Sequence, residues 1–274
     1  MRHAHVRGSP ARATVFLGGG RITCALIAGL HLAGYKHPIV VHDRHVGKLR
    51  QLKRQHDVAV EPDLRRAVDQ AHLLIIAVRP DGASELLNAI GTIQRPITAI
   101  SLAAGVPLAK LRARLGPPVR WARAMPSPVC RSGRGLTAVT FEPSLPRAGR
   151  HEVKQLFEKV GQVIEIPESR FDAFTVTYSA SHGYHALAAL AGAAEKLGLD
   201  RRTAITAAAH ALADGIIAWR EGKVSLKQLL REAATPGGTA ASVMAALTSA
   251  GYERAIEKGI RAGIARARKN ARLR

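Results

Sequence analysis

From Thr14 to Ile166 the sequence alternates short β-branched runs with stretches whose apolar residues recur every three or four positions. That alternation is the pattern of a parallel sheet covered by helices, because parallel strands can be joined only through a long crossover connection. Strands are expected at 14–17, 39–42, 58–60, 72–78, 97–102 and 119–122, and helices between them at 21–33, 46–55, 64–71, 82–90 and 108–115. Runs at 136–140 and 163–166, flanking a helical pattern at 151–160, add edge strands to the same sheet. The expected fold class is α/β, a doubly wound parallel sheet.

From Asp172 onward Ala dominates, strand-like runs vanish, and helical periodicity covers 184–197, 202–220, 226–233, 239–249 and 252–268. Asp200 is placed to cap a helix, and Gly198, Gly222 and Gly251 sit where helices would end. Two domains follow: residues 1–168 form the sheet domain, with 1–13 as a disordered basic leader, and residues 169–274 form an all-α domain. Small Ala side chains bring helices close but leave little apolar area to bury. The helical domain is therefore expected to pack against a second copy, as a homodimer or a higher oligomer.

Composition narrows the setting. The chain of 274 residues carries 41 Lys+Arg against 20 Asp+Glu, a net charge of +21, which favours anionic ligands. Cys24 and Cys130 are far apart and belong to no Cys/His cluster, which argues against a disulfide framework or a metal site and suits a reducing cytoplasm. No stretch approaches the ~20 apolar residues needed to cross a bilayer. Basic residues crowd the C-terminal helix (Arg254, Lys258, Arg261, Arg266, Arg268, Lys269, Arg272 and Arg274), but neither stacking aromatics nor a nucleic-acid recognition motif accompanies them.

Val15-Phe16-Leu17-Gly18-Gly19-Gly20-Arg21-Ile22-Thr23 reads as a strand running through glycines into a helix. In a dinucleotide site of the Rossmann type, Gly18 would permit the tight turn and Gly20 would let the backbone, with Arg21 and Ile22, approach a pyrophosphate. Thr23 stands where that pattern asks for a third small residue. After the second strand, Asp43 suits the ribose hydroxyls of NAD(H), whereas Arg44 suits the 2′-phosphate of NADP(H). Ala77-Val78-Arg79-Pro80, Ser101-Leu102-Ala103-Ala104-Gly105 and Arg123-Ala124-Met125-Pro126-Ser127 all follow or close strands, on the sheet edge where such folds bind ligands. In the helical half, Thr235-Pro236-Gly237-Gly238-Thr239-Ala240 forms a turn feeding a helix, whose N–H groups would seat a carboxylate.

In order, these motifs resemble those of the pyrroline-5-carboxylate reductase family: the Gly18/Gly20 turn, Ala77 to Pro80 for A-V-K-P, Ser101 to Gly105 for S-x-A-A-G, Arg123 to Pro126 for R-x-M-P, and Pro236 to Thr239 for P-G-G-T. The resemblance covers about residues 14–268. It implies reduction of a cyclic imine to proline with NAD(P)H, NADP(H) being the preferred cofactor and NAD(H) the alternative. It also implies a helical dimerisation domain. On the matching positions Gly18, Gly20, Arg21, Ile22, Asp43, Arg44, Ala77, Val78, Arg79, Pro80, Ala103 and Ser127 would hold the dinucleotide. Ser181, His182, Thr235, Gly238 and Thr239 would meet the substrate, an imine carboxylate.

The chain also departs from the family pattern. Ser127 replaces the usual Asn after M-P, and Ala240 replaces the Thr after P-G-G-T that supplies a hydroxyl to the imine. Ser179 to Tyr184 stands for G-S-G-P-A-Y and brings His182 and His185 beside Tyr178. A hydroxyl from Ser181 or Thr235, or an acid from His182 or Tyr178, would replace the missing donor. Three alternatives stay open: a different imine or a β-hydroxy acid handled by the same architecture, an impaired member that only binds cofactor, and a basic nucleic-acid-binding protein.

Overall fold

A computed structural model of the chain describes residues 13–270. The leader expected over 1–13 lies outside the described residues except for Ala13, which opens the first strand. An eight-stranded sheet forms from β1 (Ala13–Leu17), β2 (Ile39–His42), β3 (Ala59–Val60), β4 (Ala71–Ile76), β5 (Ile97–Ser101), β6 (Val119–Pro126), β7 (Gly135–Phe141) and β8 (Gly161–Glu165). Their order is β3-β2-β1-β4-β5-β6-β7-β8. All neighbours run parallel except β6 and β7. Strand β7 turns back because only Ser127 to Arg134, with a short 3-10 turn at Pro128–Ser132, joins it to β6, too little chain for a parallel crossover.

Side chains alternate between two cores. Phe16, Val41, Ile75 and Ile100 point to one face, where α1 (Arg21–Leu32), α2 (Val46–Gln55) and α6 (Arg147–Glu158) add Leu26, Leu52 and Phe157. Val15, Leu17, Leu74, Ile76 and Trp121 point to the other, covered by α3 (Leu64–Gln70), α4 (Pro80–Ile90) and α5 (Leu108–Arg114). Because β1 lies between β2 and β4, and the crossovers change face there, the fold's ligand crevice opens at the carboxyl ends of β1 and β4.

The helix α7 (Glu168–Thr177) has no counterpart in the periodicity. Its only buried residue is Phe171, and Thr175-Val176-Thr177 reads as β-branched. What holds it is Arg123 of β6, whose side chain is 2% exposed and pairs with Glu168 and Asp172, each at 3.2 Å, while lying 4.4 Å from the Phe171 ring centre. The Arg of R-x-M-P is thus a buried bolt between sheet and helix.

Two compact units result, and they divide differently from the boundary expected at 168/169. One takes the chain up to Val176 and again from Gly263 onward; the other is Thr177–Ala262. The first regains the chain's end because α12 (Tyr252–Asn270) finishes against it. A Cβ on Gly105 (φ +77°) would lie 2.4 Å from the Ala267 carbonyl oxygen, and one on Gly263 would lie 2.5 Å from Val176. The second unit holds α8 (Ser181–Lys196), α9 (Arg201–Glu221), α10 (Leu226–Ala233), α11 (Thr239–Ser249) and the start of α12. Asp200 caps α9 by accepting from the Arg202 and Thr203 N–H groups. Within this unit only Ala191, Ala204 and Ala208 are buried.

Candidate active site

In the first unit, every expected cofactor residue follows the carboxyl end of a parallel strand or stands in the first turn of the helix beyond it: Gly18, Gly20, Arg21 and Ile22 after β1, Asp43 and Arg44 after β2, Ala77 to Pro80 after β4, Ala103 after β5 and Ser127 after β6. Gly18 must be glycine. Its φ is +114°, and a Cβ there would sit 2.6 Å from the Ala77 carbonyl oxygen. Its N–H donates to the His42 carbonyl, while the Ala77 N–H donates to the Leu17 carbonyl, so the three strand ends are laced together. Thr23 does the work expected of a small third residue by another route. It is fully buried, and its hydroxyl donates to the Gly18 carbonyl at 2.6 Å.

Gly20 is different in kind. A Cβ on it would meet nothing within 4 Å, so the space beside it is open. It precedes α1 without a capping side chain, and no acidic residue stands in the first turn. The first N–H groups of a helix have no intrahelical acceptor, and the helix dipole adds partial positive charge there. An open, uncapped helix start beside a glycine is a seat for a pyrophosphate.

Asp43 is committed to the turn. One carboxylate oxygen accepts from the Gly19 N–H at 2.9 Å and the other from the His45 N–H at 2.8 Å, with Lys48 Nζ at 3.7 Å. Burial pushes its carboxyl up, but the two N–H donors and the Lys48 and His45 charges outweigh that and hold it below the ordinary carboxylate value. Its contribution is therefore complete above about pH 4 and is lost as pH falls through the lower, folded-state value. We expect the natural chain to lose thermal stability on acidification from pH 5 to pH 3 more steeply than Asp43→Asn, which starts lower at pH 7. Melting curves across that range, compared between the two proteins, check this. Arg44 is largely exposed, and its only ion-pair partner among the described residues is Glu85 at 3.9 Å, both side chains 77% exposed. With Asp43 occupied and Arg44 held only by its long, exposed contact to Glu85, this corner favours a 2′-phosphate over a bare ribose diol.

Arg79 precedes α4, where Pro80 takes the first helical position. Ala103 is buried. The Ser127 hydroxyl is buried and has no hydrogen-bond partner among the described residues, an orphan donor at the end of β6. The residues present thus fit a dinucleotide: an open anion seat, an exposed cation at the β2 corner and an unsatisfied hydroxyl at the nicotinamide side.

In the second unit, Gly237 takes φ +74° and the Gly238 N–H donates to the Thr235 carbonyl, closing a turn that delivers Thr239 as the first residue of α11. Neither a capping side chain nor an acidic residue serves that helix start either. The Thr235 hydroxyl is turned back onto the Glu232 carbonyl at 3.3 Å. Ser181 opens α8, its hydroxyl 2.7 Å from that of Ser179, and His182 follows it, partly buried.

The family model described as pyrroline-5-carboxylate reductase dimerisation matches residues 168–270, and the one described as NADP oxidoreductase coenzyme F420-dependent matches residues 14–105. The pyrroline-5-carboxylate reductase of Synechocystis sp. is 29% identical over 255 residues, covering 91% of this chain and 95% of that one. By these matches the chain is similar to pyrroline-5-carboxylate reductases over nearly its whole length. A solved pyrroline-5-carboxylate reductase from Coxiella burnetii superposes with a TM-score of 0.81 at 25% identity, over 96% of this chain and 99% of that one. The Plasmodium falciparum pyrroline carboxylate reductase with NADP bound gives 0.84 at 19% identity, over 96% and 100%.

Two participants in this reductase's turn escape a reading of motifs. Gly19 donates to Asp43, and a Cβ on it would lie 2.6 Å from Leu52; the unbroken Gly-Gly-Gly run was its only trace. Lys48, in the first turn of α2 with its Nζ 3.7 Å from Asp43, is a second cation at the same corner.

Proposed function

We propose that this reductase converts 1-pyrroline-5-carboxylate to L-proline, using NADP(H) as its preferred cofactor. The observation that carries the reading is the pair of uncapped helix starts, after Gly20 in one unit and after Gly238 in the other, in a chain that pyrroline-5-carboxylate reductases match almost end to end. When bound, the cofactor supplies a hydride to the imine carbon. The chain's own residues do the rest. The first-turn N–H groups of α1 bind pyrophosphate, Arg44 with Lys48 binds the 2′-phosphate, and the Ser127 hydroxyl donates to the nicotinamide side. The Thr239 and Ala240 N–H groups hold the substrate carboxylate, the Gly238 N–H being spent on the Thr235 carbonyl, and this fixes the angle of the imine. A cyclic imine that arrives protonated asks little of a general acid, so orientation is the larger demand. Ser181 and His182 stand in for the donor lost at Ala240; the Thr235 hydroxyl is spent on the Glu232 carbonyl.

Two further features belong to this reading. A second unit with three buried alanines and exposed Ile216, Trp219, Leu230 and Leu247 is completed by another copy of the chain, consistent with a family model named for dimerisation. The setting in this reading is the cytoplasm, whose reducing environment suits the free thiols of Cys24 and Cys130.

The test is oxidation of NADPH and NADH on addition of pyrroline-5-carboxylate, with an Ala240→Thr variant alongside. NADPH is expected to be consumed faster. Restoring one hydroxyl is worth ~1–3 kcal/mol, so the variant should gain about 5- to 150-fold in kcat/KM. A natural chain silent on this imine beside a strongly active variant would show that the substrate is another imine, the reading that Ala240 itself favours.

A further inference from the structure

The surplus of positive charge is not spread evenly. From Arg44 to His56 the chain carries five Lys and Arg, two His and no acidic residue. This segment follows β2 and builds α2, which Leu49 and Leu52, each 2% exposed, hold in the core. On the outward side Arg50, Lys53 and Arg54 are exposed, and none of the three makes an ion pair among the described residues. Arg50 and Arg54 stand one helical turn apart, so their like charges repel each other across an exposed face. Gln51 and Gln55 add exposed amide donors.

The patch extends beyond α2. The turn at Pro128–Ser132 packs against the end of α1, where Gly29 leaves no room for a Cβ against the Cys130 carbonyl. Arg131 of that turn and His31 of α1 are exposed. Burial, then the charges of His31 and Arg131, hold the His56 imidazole at the end of α2 below its ordinary value. Three segments thus converge on one electropositive surface. By contrast α12, though rich in cations, also carries Glu253 and Glu257, the latter paired with Arg261.

A surface of this kind fits a regular row of anions. A nucleic-acid duplex presents one phosphate charge per ~1.7 Å of its axis, and α2 runs for ~15 Å, so several phosphates lie within its reach. Arginine forks match phosphate oxygens bidentately, and release of condensed counterions drives association without any base contact. The segment from Arg44 to His56 has no aromatic residue, so it lacks the stacking platform that a single strand uses. A lipid surface fits no better, since Val46 is the one exposed apolar side chain of α2 and the helix has no apolar face to insert. We propose that the outward face of α2, with Arg50, Lys53 and Arg54 at its centre, is a docking surface for a nucleic-acid duplex, gripped through its phosphates without regard to sequence. The inference does not rest on the reductase reading, and it uses residues apart from the cofactor corner at Arg44 and Lys48.

The full chain is titrated into a fluorescein-labelled DNA duplex of about 20 base pairs, with anisotropy read from about 50 to about 200 mM salt. Binding at ~1–100 μM in the lower salt is expected, falling steeply as salt rises. An Arg50→Gln, Lys53→Gln, Arg54→Gln triple variant should bind about tenfold more weakly or worse, its logarithmic salt slope shallower by about 2.7 for three lost phosphate contacts. It should melt and bind NADPH like the natural chain, because the three side chains are exposed and Gln is a good helix former. A matched neutralisation of Arg254, Lys258 and Arg268 on α12 should keep duplex affinity within about twofold, since distant charges are screened. The proposal is overturned if no duplex binds up to about 1 mM at the lower salt, if both triple variants lose affinity alike, or if the α2 variant loses none. It is overturned as well if saturating NADPH displaces the duplex, which would place it in the dinucleotide site. Tighter binding of phosphatidylglycerol vesicles through the same three residues would also overturn it, making the partner a lipid surface.

Discussion

A Gly20→Val protein is expected to melt close to the natural chain and yet bind NADPH about 100-fold more weakly or worse, a loss of ~2.7 kcal/mol or more. The backbone at Gly20 is extended (φ −83°, ψ −177°), a conformation open to any residue, and a Cβ there touches nothing in the protein. An isopropyl group would fill the approach to the first N–H groups of α1 instead, where a pyrophosphate has to lie. Gly18→Ala separates the two roles of the turn. It should lower the melting temperature as well, because the new Cβ is driven at a backbone oxygen from a left-handed φ. Cofactor fluorescence titrations with thermal melts distinguish the two. If Gly20→Val binds NADPH normally, the helix start is not the pyrophosphate seat and the functional reading of the first unit fails.

Charging the exposed face of the second unit should be more damaging still. In an Ile217→Asp, Leu230→Asp double variant, two side chains exposed by about half (48% and 49%) acquire charge. In an isolated chain that would be harmless. If a second copy covers them, each forfeits ~1.5–3 kcal/mol of burial and buries a carboxylate without a partner, so the pair should cost more than about 5 kcal/mol. We expect a monomer by sedimentation, with part of its helical signal lost and reductase activity abolished, since Ala191, Ala204 and Ala208 cannot hold five helical segments by themselves. An active, self-associated double variant would place the subunit contact elsewhere.

Much of the first unit was legible because period and punctuation agreed: β-branched runs, amphipathic crossovers and glycines at strand ends all pointed to one sheet. The direction of β7 was not legible, since alternation says which residues are buried and nothing about which way a strand runs. The helix α7 was hidden because one aromatic and a bolt from Arg123 stabilise it where an apolar stripe would otherwise be needed. At the site, the positions of Gly18 and Gly20 could be read from spacing, but their different duties could not. A contact made by the Ala77 backbone, distant in sequence, decides which one is strained. Likewise Asp43 and Arg44 looked equivalent until hydrogen bonds from Gly19 and His45 occupied the carboxylate.

The contact of Ala267 with Gly105 means that the dinucleotide-binding half is built from two pieces of chain separated by the entire second unit. A ribosome delivers the larger piece early and the sealing segment only after all of Thr177–Ala262 has emerged. Until then the nascent polypeptide carries an unfinished nucleotide fold with Ala104 and Gly105 uncapped, a substrate for chaperones and proteases. Gene truncation after Ala262 would remove the Ala267 and Asn270 contacts and leave Ala104 and Gly105 permanently uncovered.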